Sequence, residues 1–172
     1  MGGRRVLRLL GLVKHVAYVQ LGYFGEVFGR PSGRPYPWDA EGAEEGADLW
    51  AAPDESRDDV VELYRFSAAH ADATIEALPL DATGTVPWWR EERRHPTLHT
   101  VLVHLCVEVA RHAGHADVLR ELIDGAVGMS PQNSNVPARS AAQWAAFRER
   151  IEAAARRAAG LATPSGAAPG DG

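Results

Sequence analysis

The chain has a single cysteine, Cys106, no run of about twenty apolar residues, and no excess of basic residues. A lone thiol has nothing to pair with, which excludes an internal disulfide framework and suits a reducing cytoplasm. With 18 Lys and Arg against 23 Asp and Glu, the net charge is -5, so the chain has no electrostatic reason to take nucleic acid or an anionic membrane as a partner. The opening stretch MGGRRVLRLLGLVKHVAYVQLG places basic residues before apolar ones, as a secretory signal does. Lys14 and His15 interrupt the run, Gln20 and Glu26 follow, and no small-residue cleavage site closes it. Strand-type alternation and internal repeats are also missing. The expectation is an all-α, cytoplasmic protein with one domain over residues 1–160 and a disordered tail over 161–172.

Four helical segments are present instead. The first, Arg5 to Phe28, is apolar on nearly all sides and ends at Gly29-Arg30-Pro31, so it should be central. A long acidic connection rich in Pro and Gly follows, without regular structure; loops of that length are usually functional or mobile. Ser56, with Asp58 and Asp59, caps a second helix to about Leu78, which Pro79 ends. Thr97 can cap a third, reaching Asp124 with Gly125 as its stop, and Ser140 with Gln143 forms a capping box for a fourth that runs to Gly160.

The third helix carries polar residues where apolar ones belong. Val101, Leu105, Leu119, Leu122 and Ile123 define one face at 3.6 residues per turn, which should point into the core. Glu108 and His112 fall in the middle of that stripe, with His104 and His115 along the same line. An unpaired buried charge is costly, so the carboxylate must lose its charge, pair, or meet a cation. A Glu and a His four residues apart reach one point from adjacent turns. His15, on an apolar surface of the first helix beside Gly11 and Gly22, supplies a third donor. Two imidazoles and a carboxylate suit a divalent metal, zinc first, with nickel, iron and manganese within range of the same set, and three protein ligands leave coordination positions open. A buried ion pair between Glu108 and His112 is the competing reading, of about equal weight on spacing alone. His70, His95 and His99 read as surface residues and Arg111 as a rim cation. Trp88 and Trp89 read as caps on the core rather than walls of an entrance, and Trp38, Trp50 and Trp144 as packing anchors.

The segments LLGLVKHVAYVQ and LHTVLVHLCVEVARHAGHADVLRELIDG, with GEVFGRP and the VPWW loop between them, resemble the DinB-like superfamily of metal-binding helical bundles, in particular its actinobacterial branch. The resemblance covers most of residues 9 to 125. It implies a DinB-like up-down bundle, here without the family's first helix and with an extra C-terminal helix. It also implies a metal held by His15, Glu108 and His112, in a Glu-x-x-x-His form similar to that of mycothiol-dependent maleylpyruvate isomerases. Relatives carry an acidic residue five positions after the first histidine, where this chain has Gln20.

The function this implies is a transferase or isomerase in which a metal-activated low-molecular-weight thiol, mycothiol, attacks an electrophile, with His115 as acid, base or substrate contact. A metal-dependent hydrolase and a non-catalytic bundle stabilised by its metal are the alternatives. The all-round apolarity of the first helix further predicts a homodimer, or tight docking of Ser140 to Ala159 through Trp144 and Phe147.

Overall fold

In the computed structural model, residues 9–130 and 132–161 are described, and they divide after Ala126 into two compact units. The N-terminal part of the expected first helix and most of the expected tail lie outside the described residues. Within them, the regular structure is four α-helices with no strand, as the periodicity predicts. α1 spans Leu9–Gln20, α2 Arg57–Ala77, α3 Leu98–Asp124 and α4 Ala141–Ala158. The expected boundaries hold because the caps are made. Ser56 and Asp59 form a reciprocal capping box at α2, Thr97 accepts from the Thr100 amide at α3, and Gly125 closes α3 at a φ of 73°. Only glycine takes that left-handed conformation without a steric cost.

The first helix departs from expectation at its C-terminal end. It widens into a π turn over Leu21–Gly25, tightens to a 3₁₀ turn over Glu26–Phe28, and stops at Gly29 with a φ of 64°. Single π turns inside helices are frequent at functional sites. α1 is otherwise central, as its composition requires: it packs mainly on α2 and also on α3, and every residue from Leu10 to Gly25 is at least half-buried. The core gathers Tyr23 and Phe24 of the π turn, Val27 of the 3₁₀ turn, Ala71 of α2, Val86, and Leu98, Val101 and Leu105 of α3.

Much of the cover over α1 comes from the long connection. Its backbone forms only turns, yet it is tied down. Lys14 is buried and donates from Nζ to the carbonyls of Ala47 at 3.1 Å and Trp50 at 3.2 Å and to Glu55 Oε2 at 2.7 Å. At Gly11 a Cβ would fall on the backbone of Leu49, so only glycine lets the loop lie this close. Trp50 contributes its carbonyl while its side chain is exposed, which corrects its reading as a packing anchor. The segment between α2 and α3 folds back on itself through Gly84 and Val86 amides bonded to the carbonyls of Pro96 and Arg94. The Thr85 amide bonded to the Val27 carbonyl hangs it on the end of the first helix.

Gln20 ties helices together: its Oε1 accepts from the buried Ser67 hydroxyl of α2 at 2.9 Å. His70 also corrects its surface reading. It is half-buried, and its Nε2 is hydrogen-bonded to the Arg30 carbonyl at 2.7 Å, which fixes the turn after the first helix. In the second unit, Ser140 and Gln143 make the expected capping box and no residue of α4 is buried. Trp144 and Phe147 there carry the Arg139 guanidinium, 4.7 and 4.3 Å from their ring centres.

Candidate metal centre

α1 and α3 bring His15, Glu108 and His112 together. One ligating atom from each lies within 4.8 Å of the other two, on side chains that are half-buried, half-buried and buried respectively. The spacing on α3 works as its helical geometry predicts: His112 Nε2 sits 2.9 Å from Glu108 Oε1 across one turn. The same carboxylate oxygen is 3.8 Å from His15 Nε2, and the two imidazole centres are 4.8 Å apart, edge to face. Three donors of the kind divalent transition metals prefer therefore face one small volume.

The orientation of His15 comes from a residue the sequence reading missed. Asp48, buried in the long connection, places Oδ2 2.5 Å from His15 Nδ1. That bond turns the other ring nitrogen toward Glu108 and His112. A carboxylate behind a ligating imidazole fixes its tautomer and raises its basicity, the usual arrangement around a protein-bound metal. The hydrogen bond from His15 holds the Asp48 carboxyl below its ordinary pKa against the opposing effect of partial burial. Partial burial pushes the Glu108 carboxyl up, but the hydrogen bond from His112, with the charges of His112, Arg111 and His15, outweighs it and leaves the pKa lowered. Both carboxyls are thus ionised at neutral pH and available to a cation.

The donor set fits a metal on one further observation. His112 Nδ1 is buried without a hydrogen-bond partner, so the ring is committed to the cluster through Nε2 alone. A lone Glu-His pair needs neither His15 nor the Asp48 carboxylate behind it, and the convergence of all four favours the cation over the simple ion pair.

The other candidates separate clearly. His115 is half-buried, its ring 5.4 Å from that of His112, and its buried Nδ1 also lacks a partner; it flanks the ligand group without joining it. His104 is drawn into an aromatic group, 4.9 Å from Tyr23 and 5.1 Å from Trp89. Arg111 is exposed at the rim, 3.9 Å from Glu108, as expected. His95 and His99 are exposed, again as expected.

The tryptophans divide. Trp89 packs against the core, while Trp88 is 57% exposed; both indoles donate to Tyr23 Oη, at 2.9 and 3.1 Å. Trp88 and Trp38, the latter 50% exposed and stacked on Tyr36, wall a cavity of about 380 Å³ that reaches His15 and Asp48. The reading of Trp88 as a core cap and of Trp38 as an anchor is corrected to that extent: each has a fixed edge and an open face. The hairpin-like fold of residues 82 to 98 delivers Trp88 there, a long-range effect with no local signature in the sequence.

Compared with known proteins, the chain matches the family model described as Mycothiol-S-transferase over residues 4–125, which includes all three ligand positions and ends before α4. No curated protein and no solved structure gives a significant match.

Proposed function

The chain belongs to the mycothiol-S-transferase family, a DinB-like family of helical proteins, and on that premise we propose that it transfers a thiol such as mycothiol to an electrophile at a divalent metal held by His15, Glu108 and His112. The observation that carries the reading is the convergence of those three donors, with Asp48 behind His15, inside the segment that matches the family model. A metal bound there supplies Lewis acidity that deprotonates a thiol at neutral pH. The residues of the chain do the rest. Asp48 and the loop that Lys14 anchors hold His15 in one orientation, so the donor atoms are placed before the thiol arrives. His115, with a free buried nitrogen one turn beyond His112, is positioned to receive or return a proton.

Hydrolysis is the weaker reading because it needs a dedicated base for water. Of the two histidines available for that task, His104 is occupied by Tyr23 and Trp89, which leaves His115 alone, and it is the family match that favours thiol transfer. Zinc is the metal we favour for this donor set.

Elemental analysis of the purified protein followed by calorimetric titration with mycothiol tests the proposal. One divalent ion per chain, and mycothiol binding that disappears on chelation and returns with metal, are expected. A protein free of metal, or one that binds mycothiol equally well after chelation, would remove the thiol-activation mechanism.

A further inference from the structure

We propose that the aromatic cavity beside His15 seats the electrophile, and that it selects an uncharged planar molecule over a carboxylate anion. The inference rests on the thiol-transfer reading above and adds to it the class of the second substrate. Four of the eight residues around this space of about 380 Å³ are Tyr or Trp, which offer flat faces of large area. The walls are held in place before a ligand arrives, because Trp88 is hydrogen-bonded to Tyr23 and Trp38 lies on Tyr36 with only 18° between the rings. Rigid walls spare a ligand the entropy of ordering them.

Charge decides the class. The titratable groups lining the cavity at its metal-facing end are His15 and Asp48, already bonded to each other, and neither Lys nor Arg is among the lining residues. A divalent ion would have its charge balanced by Glu108 and Asp48, and the charge of Arg111, exposed at the rim 3.9 Å from Glu108 and outside the lining, would be offset by the thiolate. An incoming carboxylate would therefore give up its water for a site with no positive charge left over, a costly exchange. Arg34 belongs to an adjoining hollow of about 620 Å³, and its guanidinium already lies over Phe66 at 4.2 Å, while Lys14, the neighbour of His15 in sequence, is held by Glu55 and two carbonyls.

Gly22 is what keeps the space open. It lines both hollows from the π turn, and a Cβ built there meets nothing closer than the far edge of Trp88 at 3.9 Å. A larger side chain at this position projects into the cavity without striking backbone.

For an aryl halide the reaction balances simply. The thiolate sulfur bonds to the ring carbon bearing the halogen, the carbon–halogen bond breaks with its electron pair leaving as halide, and the thiol proton passes to solvent. The test uses the metal-loaded protein with 1,3-dinitrobenzene as an unreactive uncharged probe, maleate as the anionic one, and 1-chloro-2,4-dinitrobenzene with mycothiol for turnover. By calorimetry, dinitrobenzene should bind saturably and maleate should not. Gly22→Leu should weaken dinitrobenzene binding, and raise KM for the chloro compound, by about tenfold or more, with metal content and mycothiol affinity unchanged. Trp88→Ala should weaken the same binding in the same direction. Dinitrobenzene binding that Gly22→Leu leaves intact, or maleate binding as tightly as dinitrobenzene, overturns the proposal. Normal dinitrobenzene binding in a protein that never binds mycothiol supports the cavity assignment and overturns the thiol reading alone.

Discussion

Between Leu98 and His112, α3 buries Leu98, Val101, Leu105 and His112; from Ala113 to Asp124 it buries nothing, although Leu119, Leu122 and Ile123 continue the same stripe. Leu122 is 79% and Ile123 71% exposed, which corrects the expectation that the whole stripe faces the core. Among the described residues, the first helix meets α3 through His15, beside Glu108 and His112, and through Tyr23, beside His104, so these contacts fall on the N-terminal half of α3. Periodicity tells which residues share a face; it does not tell how far the neighbouring helix reaches. The candidate ligands Glu108 and His112 lie at the C-terminal end of the buried stretch of α3.

The sharpest way to break this comparison is to remove ligands on the packed side. His112→Ala and Glu108→Ala are each expected to abolish stoichiometric metal binding while circular dichroism still reports a helical protein, since Val101 and Leu105 remain in the core. Retention of the metal in both variants would dismiss the site. His99, exposed on the first turn of the same helix, is the control, and His99→Ala should leave metal content unchanged.

The two halves should also differ in what an apolar truncation costs. Leu105→Ala empties a buried position and should destabilise the protein by about 2–5 kcal/mol. Leu122→Ala removes a side chain already in water and should stay within about 0.5 kcal/mol of wild type. Equal losses in urea titrations of the two variants would show that the exposed half is covered in solution.

The loop that faces α1 should matter through orientation rather than ligation. Asp48→Asn keeps the shape but loses the carboxylate that fixes His15, and should lower metal affinity by about 10–100-fold in competition with a chelator. Gly11→Ala should act in the same direction, because its Cβ displaces the Leu49 backbone and with it Asp48. Unchanged affinity in both would make the Asp48 contact incidental. His70→Ala, remote from the cluster, should cost about 1 kcal/mol of stability through its lost bond to Arg30 and leave the metal in place.

These contrasts also show what was legible in the sequence and why. The caps at Ser56, Thr97 and Ser140 and the stops at Gly29 and Gly125 are local chemistry, so the helix limits follow from neighbouring residues. Glu108 and His112 were visible because a polar pair stood where the stripe required apolar residues, and His15 because it broke an apolar helix. Asp48 was not. It is one acid in an acidic loop, and its burial depends on Lys14 and Gly11, 34 and 37 positions earlier, holding that loop against α1. The same contacts cover much of the described part of α1, the helix whose apolarity first suggested a second subunit, and among the described residues α3 carries five exposed large apolar side chains, Val103, Val107, Val118, Leu122 and Ile123.

Those side chains lead to the smallest expected effect and the most direct test of self-association. Val103, Val107, Val118 and Leu122 are all exposed, and at 100° per residue they fall within one side of α3. Arg111 and Gly114 divide this face into two apolar pairs, and each pair lowers its free energy by meeting another apolar surface, which a second copy of the chain presents. We therefore expect the homodimer anticipated from the sequence to form through α3 rather than α1. Val118→Glu combined with Leu122→Glu should then convert a dimer to a monomer in sedimentation velocity at micromolar concentration. Like charges would face each other across the two-fold axis, and the monomer itself would lose little stability, because neither side chain is buried in it. Metal content should be the same in both forms, since Glu108 and His112 lie on the packed half of the helix with His15 of the same chain. A wild-type protein that sediments as a monomer across that range would eliminate the dimer, and a variant that stays dimeric would place the interface elsewhere.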